Sequence, residues 1–177
     1  VPKADCIFTP RLFLTPFSIG DADELFEIRG DPAAMAHWDW PADETRAHTL
    51  VIVRSMLADV RAGNAIYWTV RRAADARFVG LCDLSELDGS GCADLGFLFA
   101  RVLWGQGYAR EAIEAILAGA PGMGISSVRA RVHADNARSR KLLARLGFSQ
   151  TAILTDVEVR PGVKKDCHLF ERVLPLW

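Results

Sequence analysis

Apolar positions along this chain change spacing several times, and each change marks an element. Pro10-Arg-Leu-Phe-Leu-Thr-Pro16 alternates between two prolines and reads as a first strand. Asp21 and Asp23 then open a helical pattern with Leu25, Phe26 and Ile28 on its apolar face, stopped at Gly30-Asp31-Pro32. A second, longer helix is expected from Pro41-Ala-Asp-Glu to about Ala62-Gly63, with Leu50, Val51, Val53, Met56, Leu57 and Val60 at helical spacing. Residues 65–71 and 77–84 read as a strand hairpin, and 92–100 as a third strand after it. A helix follows from Tyr108 to about Gly119, with Ala112, Ile113, Ile116 and Leu117 inward. Next come a strand at 127–133, a helix at 136–146 ended by Gly147, and strands at 148–154 and 166–173 with a turn near Pro161-Gly162. Strand, helices, three strands, helix, strand, helix, two strands is the order of an α/β or α+β domain with a mixed sheet.

The length, 177 residues, fits one domain, and a hydrophobic content of 50% suffices for a packed core. A net charge of -1 gives no global attraction to nucleic acid or to an anionic membrane. No apolar run is long enough to span a bilayer, and no apolar stretch of signal-peptide type follows Val1-Pro-Lys-Ala-Asp-Cys. Cys6, Cys82, Cys92 and Cys167 form no C-x-x-C pair, and no Cys/His cluster has zinc spacing. The adjacent Cys167 and His168 would point to opposite faces of a strand. Free thiols, a cytoplasmic setting and no metal are therefore expected.

The chemistry concentrates in two segments. Trp104-Gly105-Gln106-Gly107-Tyr108-Ala109-Arg110-Glu111 places a glycine turn between a strand and a helix. Glycines let a ligand approach the backbone, and a helix N-terminus offers unpaired N–H groups and partial positive charge, so phosphate or pyrophosphate is the expected anion. A plain helix start is the structural alternative. The second segment runs from His133-Ala-Asp-Asn136-Ala-Arg-Ser139 to Leu146-Gly147-Phe148. Asn136 and Ser139 share a face of the first helical turn, where they either cap the helix or grip a ligand.

A strand, Gly-x-Gly-Tyr-Ala with a helix, a strand, then Asp-Asn-x-x-Ser and Leu-x-x-Leu-Gly-Phe resembles the GNAT N-acetyltransferase superfamily. The similarity lies nearest its RimJ/RimL branch, the ribosomal-protein N-terminal acetyltransferases and their relatives. It runs through Thr9-Pro-Arg-Leu-Phe-Leu, Asp31-Pro32 to Trp40, Phe78-Val-Gly-Leu, Ala93-Asp-Leu-Gly-Phe-Leu-Phe and the last strand after Asp166, nearly the whole chain. Trp104 stands where the wider superfamily has Gln or Arg, as is usual in this branch, and Asp94 stands where the branch commonly has the longer Glu.

The resemblance implies a mixed, mostly antiparallel sheet flanked by helices, and acetyl-CoA as donor. It places the pyrophosphate on backbone N–H groups from Gly105 to Arg110, including Gln106, Gly107, Tyr108 and Ala109, beside Trp104. Leu98, Phe99 and Ala100 would pair with the pantetheine arm as an added strand, Asn136 would bond it, and Ser139 would sit near the thioester sulfur. Arg138 or Lys141 would meet the ribose phosphate. His37, Trp38, Asp39 and Trp40 would wall the acceptor, with Asp39 drawing in a cationic amine, or else pack the loop onto the domain.

Transfer to an amine needs a neutral nucleophile. An α-amine, with a pKa of about 7.7–8.0, is partly neutral without a strong base, whereas a lysine near about 10.4 is not. Asp83 and Asp94 are the base candidates, each with a structural alternative as a capping or arginine-paired carboxylate. The expected activity is direct acetyl transfer to a protein N-terminus or a small amine. A non-catalytic acyl-CoA sensor is the alternative. Leu174, Leu176 and Trp177 would serve a homodimer contact or cover the core.

Overall fold

The computed structural model describes residues 4–175. Eight strands form one sheet: β1 (Ile7–Phe8), β2 (Leu12–Pro16), β3 (Ile66–Arg72), β4 (Phe78–Ser85), β5 (Cys92–Phe99), β6 (Ser127–His133), β7 (Ser149–Arg160) and β8 (Val163–Val173). Their order across the sheet is β1-β2-β3-β4-β5-β6-β8-β7. Every pairing is antiparallel except β5 with β6. The helices are α1 (Ala22–Arg29), α2 (Arg46–Ala62), α3 (Tyr108–Gly119) and α4 (Ala137–Arg145). This is the mixed, mostly antiparallel sheet with flanking helices that the sequence implied.

Strand alternation divides the core in two. On one face Leu12, Leu14, Trp68, Cys82 and Leu84 pack with Ile113, Ile116 and Leu117 of α3 and Leu143 of α4. On the other, Leu81 and Leu98 meet Leu25 and Ile28 of α1 and Val53 of α2. Each fully buried Leu or Ile contributes about 1.5–3 kcal/mol relative to exposure.

Several boundaries differ from the sequence reading. α2 begins at Arg46, with Thr45 as its cap accepting from His48 N–H, and not at Pro41. The reason is Asp43. Its carboxylate is buried and takes a bidentate bond from Arg29 of α1, at 2.7 and 3.0 Å, and a third from the Thr49 hydroxyl at 2.6 Å. The guanidinium and the hydroxyl hold Asp43 ionised against its burial, with its pKa below the usual value. Residues 31–45 thus become a loop bolted to both helices. Val51, placed on the apolar face by periodicity, is exposed, and the buried residues of α2 are Thr49 and Val53. β7 and β8 form a hairpin closing tightly at Pro161-Gly162, longer than the alternation indicated. Leu174 covers the core at 3% exposure, while Leu176 and Trp177 lie outside the described residues.

Candidate active site

The parallel pair β5–β6 is joined at only three positions, Cys92↔Ser127, Ala93↔Val128 and Asp94↔Arg129. Both strands continue, β5 to Phe99 and β6 to His133, without further pairing to each other. They part into a gap, and β5 keeps β4 on its other side as far as Gly80↔Phe99. Ala100 N–H is bonded to Val79 O, so ladder alternation turns the N–H groups of Leu98 and Ala100 toward β4. Those of Phe97 and Phe99 face the gap. Of the three residues expected to pair with a ligand, Phe99 therefore presents its N–H there, and Leu98 and Ala100 do not. Phe97 was missed, although strand period alone would have found it.

Two helix N-termini converge at the C-terminal ends of these strands, the place where open parallel sheets collect ligands. After β5, Trp104 donates its indole N–H to Phe99 O at 2.9 Å. Gly105 and Gly107 follow in left-handed backbone, φ +80° and +83°, and Gly107 is the N-cap of α3. The first bond into this helix is Glu111 N–H to Gly107 O. The N–H groups of Tyr108, Ala109 and Arg110 precede it and have no carbonyl of the helix to meet. After β6, Asn136 caps α4, its side-chain oxygen accepting from Ser139 N–H at 3.1 Å. Arg138 lies 4.0 Å over the Trp104 ring and so ties the end of β6 to the end of β5. Arg110 is ion-paired with Glu114, and Lys141 is exposed.

The glycine turn has a brace that the sequence did not reveal. Arg11 Nε meets Glu111 at 2.6 Å, Arg11 Nη1 bonds Gln106 O at 3.0 Å, and the guanidinium lies 4.7 Å over the Tyr108 ring. Thr9 completes it with a 2.6 Å bond to Glu111. A Cβ on Gly107 would come within 3.2 Å of Arg11.

The two base candidates separate clearly. Asp94 is ion-paired with Arg129 at 2.8 Å, both side chains being 42% exposed. Asp94 thus has the arginine partner of its structural alternative. Asp83 is buried in β4, between Tyr67 of β3 and Gly96 of β5. A Cβ at Gly96 would fall 2.2 Å from Asp83 Oδ1, so the carboxyl lies directly across the Gly96 backbone. That position is two residues beyond Asp94, where the gap opens. Burial pushes the Asp83 pKa up to about 7, with the Asp94 charge adding to it. Burial and Asp83 together push the Tyr67 hydroxyl up, so it remains a protonated donor. The Cys82 thiol is pushed well up by complete burial, which leaves it inert.

The residues expected to wall an acceptor are engaged with neighbours of their own. Asp39 ion-pairs with Arg131 and lies 2.9 Å from His133 Nε2. His37 Nδ1 contacts Asp135 at 3.1 Å. Trp38 packs on the α1–α2 core, while Trp40 is exposed. Asp39, expected to draw in a cationic amine, already has a cationic partner in Arg131.

Known proteins share this fold. Residues 11–149 match the Acetyltransferase (GNAT) domain. The chain is 26% identical over 171 residues to an uncharacterized N-acetyltransferase, p20, of Bacillus licheniformis, covering 94% of each. Among solved structures, it superposes with a TM-score of 0.86 on RimL, a ribosomal L7/L12 α-N-protein acetyltransferase in complex with coenzyme A. That match is at 17% identity and covers 96% of this chain and 98% of RimL. Spermidine N-acetyltransferase from Vibrio cholerae, solved with CoA and spermine, gives a TM-score of 0.81 at 17% identity, covering 93% and 96%. No helix among the described residues is long and apolar enough to cross a membrane. The chain belongs to the GNAT acetyltransferase family.

Proposed function

We propose that this protein transfers an acetyl group from acetyl-CoA to a primary amine by direct attack. The observation that carries the proposal is the Asp83 carboxyl, buried across Gly96 at the base of the β5–β6 gap, with two helix N-termini at the gap's far end. The residues fit the donor. Left-handed glycines expose the backbone before α3, where N–H groups without carbonyl partners suit a pyrophosphate. Phe97 and Phe99 offer strand N–H groups to an amide-bearing arm, and either is placed to polarise a thioester carbonyl. CoA supplies the leaving thiolate.

In this reading the acceptor attacks as the neutral amine. Asp83, ionised above about pH 7, takes the proton its nitrogen sheds, directly or through a water, as the C–N bond forms and the C–S bond breaks, and the CoA thiolate leaves and is protonated by water. Ser139, in the first turn of α4, hydrogen-bonds the departing sulfur, helped by the partial positive charge of the helix end. Arg138 and Lys141 face the phosphate-rich end of the donor. His37, Trp38, Asp39 and Trp40 border the acceptor. The acceptor is a protein N-terminus or a small amine, the two kinds named for the relatives of this fold. The relatives' naming as N-acetyltransferases and a base-grade carboxyl in the gap both speak against a non-catalytic sensor.

The test is calorimetric titration with acetyl-CoA, CoA and ATP, followed by thiol release with peptides and polyamines. Binding of acetyl-CoA and CoA but not ATP, with turnover on an amine, is expected. Binding without turnover on any amine would turn the reading into a sensor, and no binding would overturn it.

A further inference from the structure

Three groups from two distant segments meet at the rim where the acceptor loop touches the end of β6. His37 belongs to the loop, His133 ends β6, and Asp135 stands in the turn into α4. One ring nitrogen of each histidine and a carboxylate oxygen of Asp135 all lie within 4.8 Å of one another. His37 Nδ1 is 3.1 Å from Asp135 Oδ1, and the two imidazoles stand nearly perpendicular, centroids 6.5 Å apart.

His133 adds an independent observation. Its side chain is 4% exposed, its Nε2 lies 2.9 Å from Asp39 Oδ1, and its Nδ1 is buried with no hydrogen-bond partner among the described residues. Asp39 is ion-paired with Arg131 and accepts only, so the ring hydrogen sits on Nε2. In the neutral ring Nδ1 then keeps its lone pair. A carboxylate behind an imidazole, fixing its tautomer and leaving the other nitrogen free, is the arrangement that orients metal-binding histidines.

We propose that His37, His133 and Asp135 bind a divalent cation of the zinc class, with Asp39 as the positioning residue for His133. Two imidazoles and a carboxylate are the donor set that zinc takes, and they fill three positions of a tetrahedron. Bonds of about 2.0–2.2 Å put tetrahedral ligands roughly 3.3–3.6 Å apart, so the cluster closes by about 1 Å around the ion. The exposed His37 is the group free to make that move. Lys165 holds the other oxygen of Asp135, Oδ2, at 2.9 Å, which leaves Oδ1 to the metal. Binding replaces the His37–Asp135 hydrogen bond and releases the proton of any charged His37 to water.

The ion ties the loop carrying Trp38 and Asp39 to the end of β6. Sequence spacing could not find it, because His37 and Asp135 are 98 residues apart.

The experiment is titration of the whole chain with Co²⁺, followed by displacement with Zn²⁺. The expected result is one Co²⁺ per chain with visible bands of tetrahedral nitrogen–oxygen ligation and without the near-ultraviolet band of thiolate ligation. His37→Ala and Asp135→Asn, at exposed positions and checked for folding by circular dichroism, should each weaken binding by at least about tenfold, and Asp39→Asn by about tenfold. His168→Ala and Cys6→Ser should leave it unchanged. Absence of the bands, their survival in both His37→Ala and Asp135→Asn, or their loss in Cys6→Ser would each overturn the site. The readout needs neither acetyl-CoA nor an amine, so it stands or falls apart from the proposed activity.

Discussion

In the proposed reading the donor end of the gap and its acceptor end are built by different means. At the donor end the working groups are main-chain N–H groups, set by a glycine turn and two helix starts that each lie within a few consecutive residues. At the acceptor end they are side chains: Tyr67 and Asp83, set side by side by strand register, and Arg131 and His133 of β6, met by Asp39 from a loop. A backbone site tolerates most side-chain changes and fails when φ is altered. A side-chain site fails when one buried group loses its charge or its room.

Asp83→Asn should break the acceptor end most severely. Loss of a general base costs about 100-fold or more in kcat, while acetyl-CoA affinity should be unchanged. The pH–rate profile sharpens the assignment. Wild-type rate should climb once as Asp83 ionises near pH 7 and again as the amine loses its proton near about 8, and the variant should keep only the second rise. Stability carries the opposite sign. A carboxyl whose folded pKa is raised to about 7 from 3.8 stabilises fully below the lower value and loses that contribution as pH rises through the upper one. Thermal melts of Asp83→Asn should be flatter over that window. A wild-type rate and profile would remove Asp83 from catalysis.

Gly107→Val tests the donor end. A β-branched residue at φ +83° costs about 1–3 kcal/mol of backbone strain and presses on Arg11 at 3.2 Å. Acetyl-CoA affinity should fall by roughly 10–100-fold in calorimetry. Unchanged affinity would mean the turn only starts a helix.

These two ends were unequally legible in the sequence. The glycine turn, the Asn136 cap and the helix that Gly147 closes follow local rules and stand where the pattern put them. Asp83 was visible only as a carboxylate in a strand. Its standing depends on Gly96, one strand over, lacking a side chain, and on the pairing of β5 with β6 stopping two residues earlier. The start of α2 was misplaced for the same reason, since Asp43 answers to Arg29 on another helix rather than to its own neighbours. The Arg11–Glu111 brace, 100 residues apart in the chain, left no local signal.

Ser139→Ala falls between the two ends. Its backbone is held by the Asn136 cap whatever its side chain, so the helix and donor affinity should persist. A hydroxyl that only hydrogen-bonds a leaving sulfur is replaceable by water, and kcat should drop a few-fold, about 1 kcal/mol. A rate equal to wild type would leave Ser139 a structural residue.

Asp94→Asn should have the smallest effect, and it isolates what burial does. Asp94 and Asp83 carry the same carboxyl on adjacent strands, yet Asp94 is half-exposed and paired with Arg129 while Asp83 is enclosed. An exposed ion pair is worth about 0–1 kcal/mol, so stability should barely change and kcat should stay within about twofold. One consequence still crosses to the neighbouring strand. The Asp94 charge helps raise the Asp83 pKa, so its removal should move the lower limb of the pH–rate profile slightly toward acid. A large loss of rate with that limb unmoved would make Asp94 the proton acceptor after all and reverse the assignment of the two carboxyls.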